Sequence, residues 1–224
     1  MHKTLTAIVL FVITGTAWGN LITNPSFETE TPTVAPGTFQ LFIPGSTGIN
    51  GWTATGPVGT DIGAVSTTFV QNGVTFNAQD GNVWIDLTGF NTNTTEGIMQ
   101  TVTTTPSTNY VLTFYVGNTT GGSIFGTTST VGLTINGTQV GTFTNSSAAL
   151  TSLNWQQFTY NFTAATGSTA IGFVNLDGPS DNSNGLDLVD LEVGGPSSVP
   201  EPASLVLVGS ALAMLATFRV RHKR

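Results

Sequence analysis

The chain reads as an all-β protein, an antiparallel jelly-roll β-sandwich flanked by an N-terminal signal helix and a C-terminal transmembrane helix. Three observations predict this. Between Asn20 and Gly194 apolar and polar residues alternate over short runs, and almost nothing repeats at the helical spacing. Glycine is abundant, with 27 residues in 224, and Gly, Asn and Pro punctuate those runs as turn residues do. There is no cysteine, so an exported body of this kind has to be held by its own apolar core. A segment of about 180 residues is long enough to build one as a single domain.

The elements follow in order. Met1-His2-Lys3 is a short basic start, Leu5 to Ile13 is mostly apolar, and Ala17-Trp18-Gly19 places small residues around a cut before Asn20. Residues 1–19 therefore read as a signal peptide, a substrate for signal peptidase, with cleavage after Ala17 as a second option. Residues 20–194 form the β-sandwich domain. Val83, Ile85 and Leu87 share one strand face, with Trp84 and Asp86 on the other. Tyr110–Val116 is a β-rich run suited to a central strand. Val131–Ile135 and Gln139–Phe143 alternate on either side of Asn136-Gly137, a strong hairpin signal. Phe158, Tyr160 and Phe162 share a face of the next strand, and Ile171–Val174 follows. Asp187, Val189, Leu191 and Val193 share a face of the last strand, which points Asp187 inward. Thr29–Gly48 and Asn118–Ser129 read as long loops. Residues 195–198 (Gly-Pro-Ser-Ser) form a linker.

Residues 199–224 make a three-part tail: Pro200-Glu201-Pro202, an uncharged apolar helix over 203–218, and a basic end over 219–224. A helix of that length reaches about 24 Å, against about 30 Å for the hydrocarbon core of a bilayer. Arg219 and Arg221 can snorkel to the headgroups and make up part of the deficit. The basic end belongs on the cytoplasmic side and the preceding residues outside. The tail resembles the PEP-CTERM sorting signal of Gram-negative bacteria, on Pro200, Glu201, Pro202, the apolar run and the basic end. The resemblance implies an exosortase-type sorting protease as partner, removal of the tail, and release or attachment at the cell envelope. The membrane contact through the helix would then be transient.

Charge excludes much. All five Lys and Arg residues and both His residues lie in the terminal segments, so the exported body contains carboxylates and no cationic side chain. Nucleic-acid binding lacks its phosphate-neutralising charge. Ser-His-Asp and Cys-His catalysis lack their base, zinc sites built on His and Cys lack their ligands, and a P-loop lacks its lysine. What remains is carboxylate chemistry: binding a hard cation or paired-acid hydrolysis.

Several phrases occur in the order of one extracellular family. Asn20–Glu28 looks like its opening strand, Gly51-Trp52-Thr53 like a following element, and Gly81–Leu87 like an "Asp-Leu" strand. Gly97–Val102 and Tyr110–Phe114 come next, and Leu186-Asp187-Leu188-Val189 resembles the closing "Leu-Asp-Asn-Val" strand. Together they resemble the DUF642-like and choice-of-anchor exported proteins, which are similar to galactose-binding-like and carbohydrate-binding-module jelly rolls. Leu188 departs from the pattern, as does the missing basic residue that some sugar-binding relatives use.

Candidate sites divide into three. An inward Asp187 needs a partner, and with no cation in the body only a calcium ion or backbone amides can supply it. The resemblance implies that Glu28 and Asp187 hold one structural Ca2+; loop amides are the other reading. Trp84 beside Asp86 suits a sugar, the ring stacking on C–H groups and the acid accepting from hydroxyls. A layer covering Trp84 is the alternative. Trp52 either closes a loop over the core or contacts the same ligand, and Trp155 packs. Asp177, Asp181 and Asp190 are candidate acids for hydrolysis, but Asp177-Gly178 and Asp181-Asn182 read as turns.

The expectation is therefore a non-catalytic exported protein of the cell envelope or extracellular matrix, binding polysaccharide or serving as structure. A surface protein that binds another protein and a carboxylate-dependent glycan hydrolase are the alternatives.

Overall fold

The protein is described by a computed structural model covering residues 19–90, 94–178 and 183–194. The segments expected to be a signal peptide (residues 1–19, of which only Gly19 is described), a linker (195–198) and a sorting signal with its transmembrane helix (199–224) lie outside the described residues. None of the described residues forms a helix long and apolar enough to cross a membrane.

Thirteen strands are present among them: β1 (Phe39–Phe42), β2 (Thr53–Thr55), β3 (Ile62–Ser66), β4 (Val70–Gln71), β5 (Val74–Thr75), β6 (Val83–Asp86), β7 (Gly97–Thr103), β8 (Asn109–Asn118), β9 (Ser129–Ile135), β10 (Thr138–Asn145), β11 (Asn154–Thr163), β12 (Ser168–Asn175) and β13 (Gly185–Val193). Six pair in the order β1-β3-β6-β13-β8-β11, and five in the order β10-β9-β12-β7-β2; β4 and β5 form a small separate hairpin. Every ladder between these strands is antiparallel.

The two large sheets face each other across one apolar core. Strand β8 illustrates how alternation builds it: Tyr110, Leu112, Phe114 and Val116 are buried, while Val111, Thr113 and Tyr115 are only half-buried. From β8 the Phe114 ring reaches across to Phe173 of β12 at 4.9 Å and to Phe143 of β10 at 5.1 Å, both edge to face. The β9–β10 hairpin turns at Asn136 and Gly137, whose φ of 51° and 78° match the mirror-image turn that the strand twist favours.

Three expectations are corrected. Thr29–Gly48 is not a continuous loop, because Phe39–Phe42 pairs with Ile62–Val65 as β1; four residues between turns carry too little periodicity to stand out. Asn20–Glu28 is not a strand. Asn24 and Phe27 take left-handed φ of 55° and 59°, and Pro25 has no amide to donate. The segment lies instead against β13, with the Leu21 amide donating to the Leu191 carbonyl at 2.9 Å and the Val189 amide donating to that of Pro25 at 2.9 Å.

The third correction concerns β13. Its register against β8 slips between Asp187 and Asp190, so Asp187 stands opposite Tyr115 whereas Leu191 stands opposite Leu112. Leu188, at φ 47°, sits in the bulge. An extra residue reverses the alternation, so Asp187 does not share a face with Val189, Leu191 and Val193. Asp187 is nevertheless fully buried, because the outer face of the sheet is itself covered there.

Close approach of β7 and β12 yields a prediction. A Cβ at Gly97 would run into the Phe173 carbonyl, whereas one at Gly137 would meet nothing. Gly97→Ala should cost about 2–3 kcal/mol by overpacking, and Gly137→Ala only about 1 kcal/mol, from its positive φ. Urea unfolding checks this; equal costs would contradict the packing of β7 on β12.

Candidate functional site

The outer face of the six-stranded sheet carries Val65 of β3, Trp84 and Asp86 of β6, and Trp155 of β11. Over part of it lies a second apolar cluster: Val65, Val74, Phe76, Trp84, Phe125 and Leu153, with Phe69, Ala78 and Trp155 packed against it. Its rings interlock, Phe76 stacking on Trp84 at 6.0 Å and Trp155 meeting Trp84 edge-on at 5.9 Å. Trp155 lies flat across Gly117 and Gly185, where any Cβ would strike its ring at 2.9 Å. The indole N–H groups are satisfied locally, Trp84 Nε1 donating to the Phe76 carbonyl at 3.2 Å and Trp155 Nε1 to that of Asn77 at 2.9 Å.

Trp84 is accordingly 1% exposed, and so is Trp52. Trp52 sits between Phe27 and Phe173 under the N-terminal segment and donates from Nε1 to the Asn24 carbonyl at 3.1 Å. Neither ring has a face for a sugar, which corrects the expected ligand role of both. The covering layer is the β4–β5 hairpin, the loop that follows it and the Phe125 loop. Trp155 packs, as expected.

Asp86 lies where that layer ends. It is half-buried and lines a shallow open groove, with room for only about 40 Å3, together with Phe39, Gly63, Phe69, Gln71 and Phe90. Phe39 is 38% exposed and Phe90 67%. These two rings are nearly parallel, with centroids 6.1 Å apart, and Phe69 meets Phe39 edge-on at 5.3 Å. Gly63 leaves the floor without a side chain. The rim is held from below: the Phe90 amide donates to Asp61 Oδ1 at 2.7 Å, and Asp86 Oδ1 accepts from the Thr88 amide at 3.0 Å and hydroxyl at 2.7 Å. Gly89 takes φ 59°, and a side chain there would collide with Asp61. Phe39 and Phe90 were not singled out by sequence reasoning. A phenylalanine following glycine in a polar loop, as at Gly89-Phe90, is the signal that points to one of them.

Glu28 and Asp187 both hold the segment that leads into β6. Asp187 Oδ2 accepts from the amides of Gln79 at 2.8 Å and Asp80 at 3.0 Å, and Oδ1 from that of Leu188 at 2.7 Å. Glu28 is exposed, and its Oε1 accepts from the amides of Asn82 at 2.7 Å and Val83 at 2.8 Å. The donor set tests the expected ion. A cation shared by these carboxylates would face amide hydrogens, and no cluster of three acidic, His or Cys side chains suited to a metal occurs among the described residues. The arrangement fits the amide reading and does not fit a calcium ion held by this pair.

Of the candidate acids, Asp177 follows β12 and accepts from the Thr130 amide at 3.0 Å, whereas Asp190 lies in β13 opposite Thr113. Asp181 lies outside the described residues. Burial pushes Asp177 up to about 6, partly offset by the Thr130 amide and hydroxyl. Asp190 is raised by burial and then by the charge of Glu192. Burial raises Asp187 furthest, to about 7, with its three amides pulling it back and the Asp80 charge adding to the rise.

Two predictions follow from this geometry. An unfolded Asp titrates near 3.9, so between about pH 4 and 7 the folded chain keeps a proton on Asp187 that the unfolded chain has lost. That stabilisation is complete below about pH 4 and disappears as the pH rises to 7. The melting temperature in metal-free buffer should be at least about 3 °C higher at pH 5 than at pH 7.5. Asp187→Asn should flatten the slope, with a lower melting temperature because its Nδ2 would face an amide hydrogen. Trp84→Ala should lose about 3–5 kcal/mol, read by urea unfolding, as expected of a core residue and not of a ligand platform.

Among solved structures, TmCBM61 in complex with β-1,4-galactotriose is 16% identical at a TM-score of 0.46, over 78% of this chain and 99% of that one. A family 16 carbohydrate-binding module gives 17% identity and a TM-score of 0.46, over 77% and 99%. A family 35 carbohydrate-binding module from Clostridium thermocellum gives 18% and 0.41, over 69% and 99%. None of the curated proteins matches the chain. Residues 20–190, most of the body described above, match the model of the family described as protein of unknown function (DUF642), and the chain belongs to that family.

Proposed function

We propose that the protein is an exported, non-catalytic component of the cell envelope or extracellular matrix that binds a neutral polysaccharide in the Phe39–Phe90 groove. The observation that carries this reading is the pair of exposed, near-parallel rings beside Gln71 and Asp86. Flat apolar faces receive the C–H surfaces of a sugar ring, while an amide and a carboxylate at the edge orient its hydroxyls. A rim pinned by Asp61 and Asp86 limits the entropy lost on binding.

Charge narrows the ligand. The described residues carry ten of the chain's twelve carboxylates, all but Asp181 and Glu201, and no lysine, arginine or histidine. An anionic glycan would be repelled, so a neutral one is the better match. Hydrolysis requires two carboxylates flanking one bond, and no strand pairing brings together Asp177, in the loop after β12, and Asp190, within β13. Signal peptidase at residue 19 and an exosortase-type protease at the Pro200-Glu201-Pro202 tail would handle delivery.

The test is binding of the purified protein to a panel of neutral and acidic polysaccharides, compared with Phe90→Ala and Phe39→Ala. At least one neutral glycan should bind. Phe90→Ala should weaken that binding by about tenfold with the melting temperature unchanged, since the ring is exposed. Failure of every neutral glycan, or indifference to both variants, would leave the groove to a protein partner or to no partner.

A further inference from the structure

The two large sheets end at β1 and β11 and at β10 and β2. All of these edges but β11 are guarded in ways that discourage pairing with another chain. β1 is only 4 residues long. β2 has 3 residues and is already bonded along its open side, the Gly45 amide donating to the Ala54 carbonyl at 2.8 Å and the Ala54 amide to that of Ser46 at 2.9 Å. β10 is broken by a register shift between Gln139 and Gly141. β11 is 10 residues long, pairs with β8 in one unbroken register, and contains no proline, glycine or charged residue.

The ladder fixes which backbone groups β11 leaves open. Just past the strand the Ala164 amide donates to the Thr108 carbonyl at 3.0 Å, and on the other side of β8 the Gly194 amide donates to the Asn109 carbonyl at 2.8 Å. Asn109 therefore turns toward β13, and Tyr110 after it toward β11. Residues of an antiparallel ladder alternate in this way, so Gln156, Phe158, Tyr160 and Phe162 bond to β8. Trp155, Gln157, Thr159, Asn161 and Thr163 turn their N–H and C=O groups outward, and none of these groups has a hydrogen-bond partner among the described residues. Beside them a row of half-buried rings faces the gap between the sheets, Phe158 lying 5.5 Å and Tyr160 6.4 Å from Phe143 of β10.

We propose that β11 pairs with β11 of a second copy of this chain, antiparallel about a two-fold axis at Thr159, joining two six-stranded sheets into one. This register sets Trp155 against Thr163, Gln157 against Asn161 and Thr159 against Thr159 of the second copy, so every outward residue meets an outward residue. With two bonds for each such pair it forms about ten hydrogen bonds. Moving the axis to Phe158 or Tyr160 leaves Thr163 or Trp155 without a counterpart in the strand. On the core side Phe158 stands against Tyr160 of the second copy, and aromatic cross-strand pairs stabilise a ladder. Charge also favours a second copy here. The described residues carry carboxylates and no cationic side chain, so two copies repel over most of their surface. No charged residue occurs between Glu96 and Asp177, the stretch that contains β10 and β11. The Phe39–Phe90 groove lies at the opposite end of the sheet, beside β1 and β3. A dimer therefore carries two open grooves, a consequence that rests on the groove's proposed role, whereas the pairing does not.

The experiment is sedimentation velocity on the purified protein over about 1 to 100 μM, beside the Thr159→Glu and Thr142→Glu variants. Both threonines are exposed. The protein should dimerise as its concentration rises. Thr159→Glu sets like charges directly opposite each other at the axis and should weaken dimerisation by about tenfold or more. Thr142→Glu, on the interrupted β10 edge, should leave it unchanged. The chain has no cysteine, so Thr159→Cys gives a second reading that introduces no charge. With Cα atoms about 5.5 Å apart across the axis, it should oxidise to a disulfide-linked dimer much faster than Thr142→Cys. A monomer throughout the range would overturn the proposal and leave the edge to an extended segment of another protein. Dimerisation undiminished in Thr159→Glu, or equal cross-linking by the two cysteine variants, would overturn it in favour of another interface.

Discussion

Between Asn20 and Gly194 the chain has carboxylates and no cationic side chain, and much of the architecture follows from that constraint. Charged oxygens brought out of water need donors, and here the donors are peptide amides. Asp187 gathers three of them, Glu28 two, and Asp61 holds the Phe90 amide. Glu30 accepts from the Val34 amide at 2.8 Å, and Glu96 from the Thr94 amide and hydroxyl. The bonds of Asp187 to Gln79 and Asp80 and of Glu28 to Val83 tie a loop to the sheet, whereas those of Glu30 and Glu96 brace local turns. The acids therefore act as fasteners for irregular backbone, among described residues that include neither a cysteine nor a cationic side chain.

Asp187 is the most consequential of these fasteners. Its bonds to Gln79 and Asp80 anchor the chain that returns from the β4–β5 hairpin, and that chain carries Phe76 onto Trp84. The same bulge in β13 that turns Asp187 outward keeps Val189 and Leu191 in the core. A second apolar cluster thus forms over one part of the sheet, and the uncovered remainder becomes the groove of Phe39, Asp86 and Phe90. Cover and groove are two outcomes of one layer ending.

Much of the fold was legible in the chain. Strands β6 and β9 to β11 follow from alternation, β8 and β12 from short β-rich runs, and the Asn136-Gly137 turn from its residue types, because a half-buried strand has a period of two and a mirror-image turn needs positive φ. Short edge strands such as β1 left no such trace. The assignment of Asp187 as buried held although its basis did not. Periodicity cannot anticipate a bulge, and one inserted residue exchanges the faces. Trp84 was read correctly as facing away from the core, but alternation describes only one sheet and says nothing of what lies on its far side. Long-range loop packing decides that, and it buried the tryptophan.

The amino-acid sequence alone determined the antiparallel sandwich, the absence of cationic chemistry and the need for an amide or an ion at each buried acid, since these depend on composition and local period. Only the tertiary structure decided which oxygens amides satisfy and which they leave over, and which aromatic rings remain open to solvent. Those outcomes depend on segments such as 79–80 and 187, or 90 and 39, which are distant in the chain and meet only when the sheets and their covering loops are assembled.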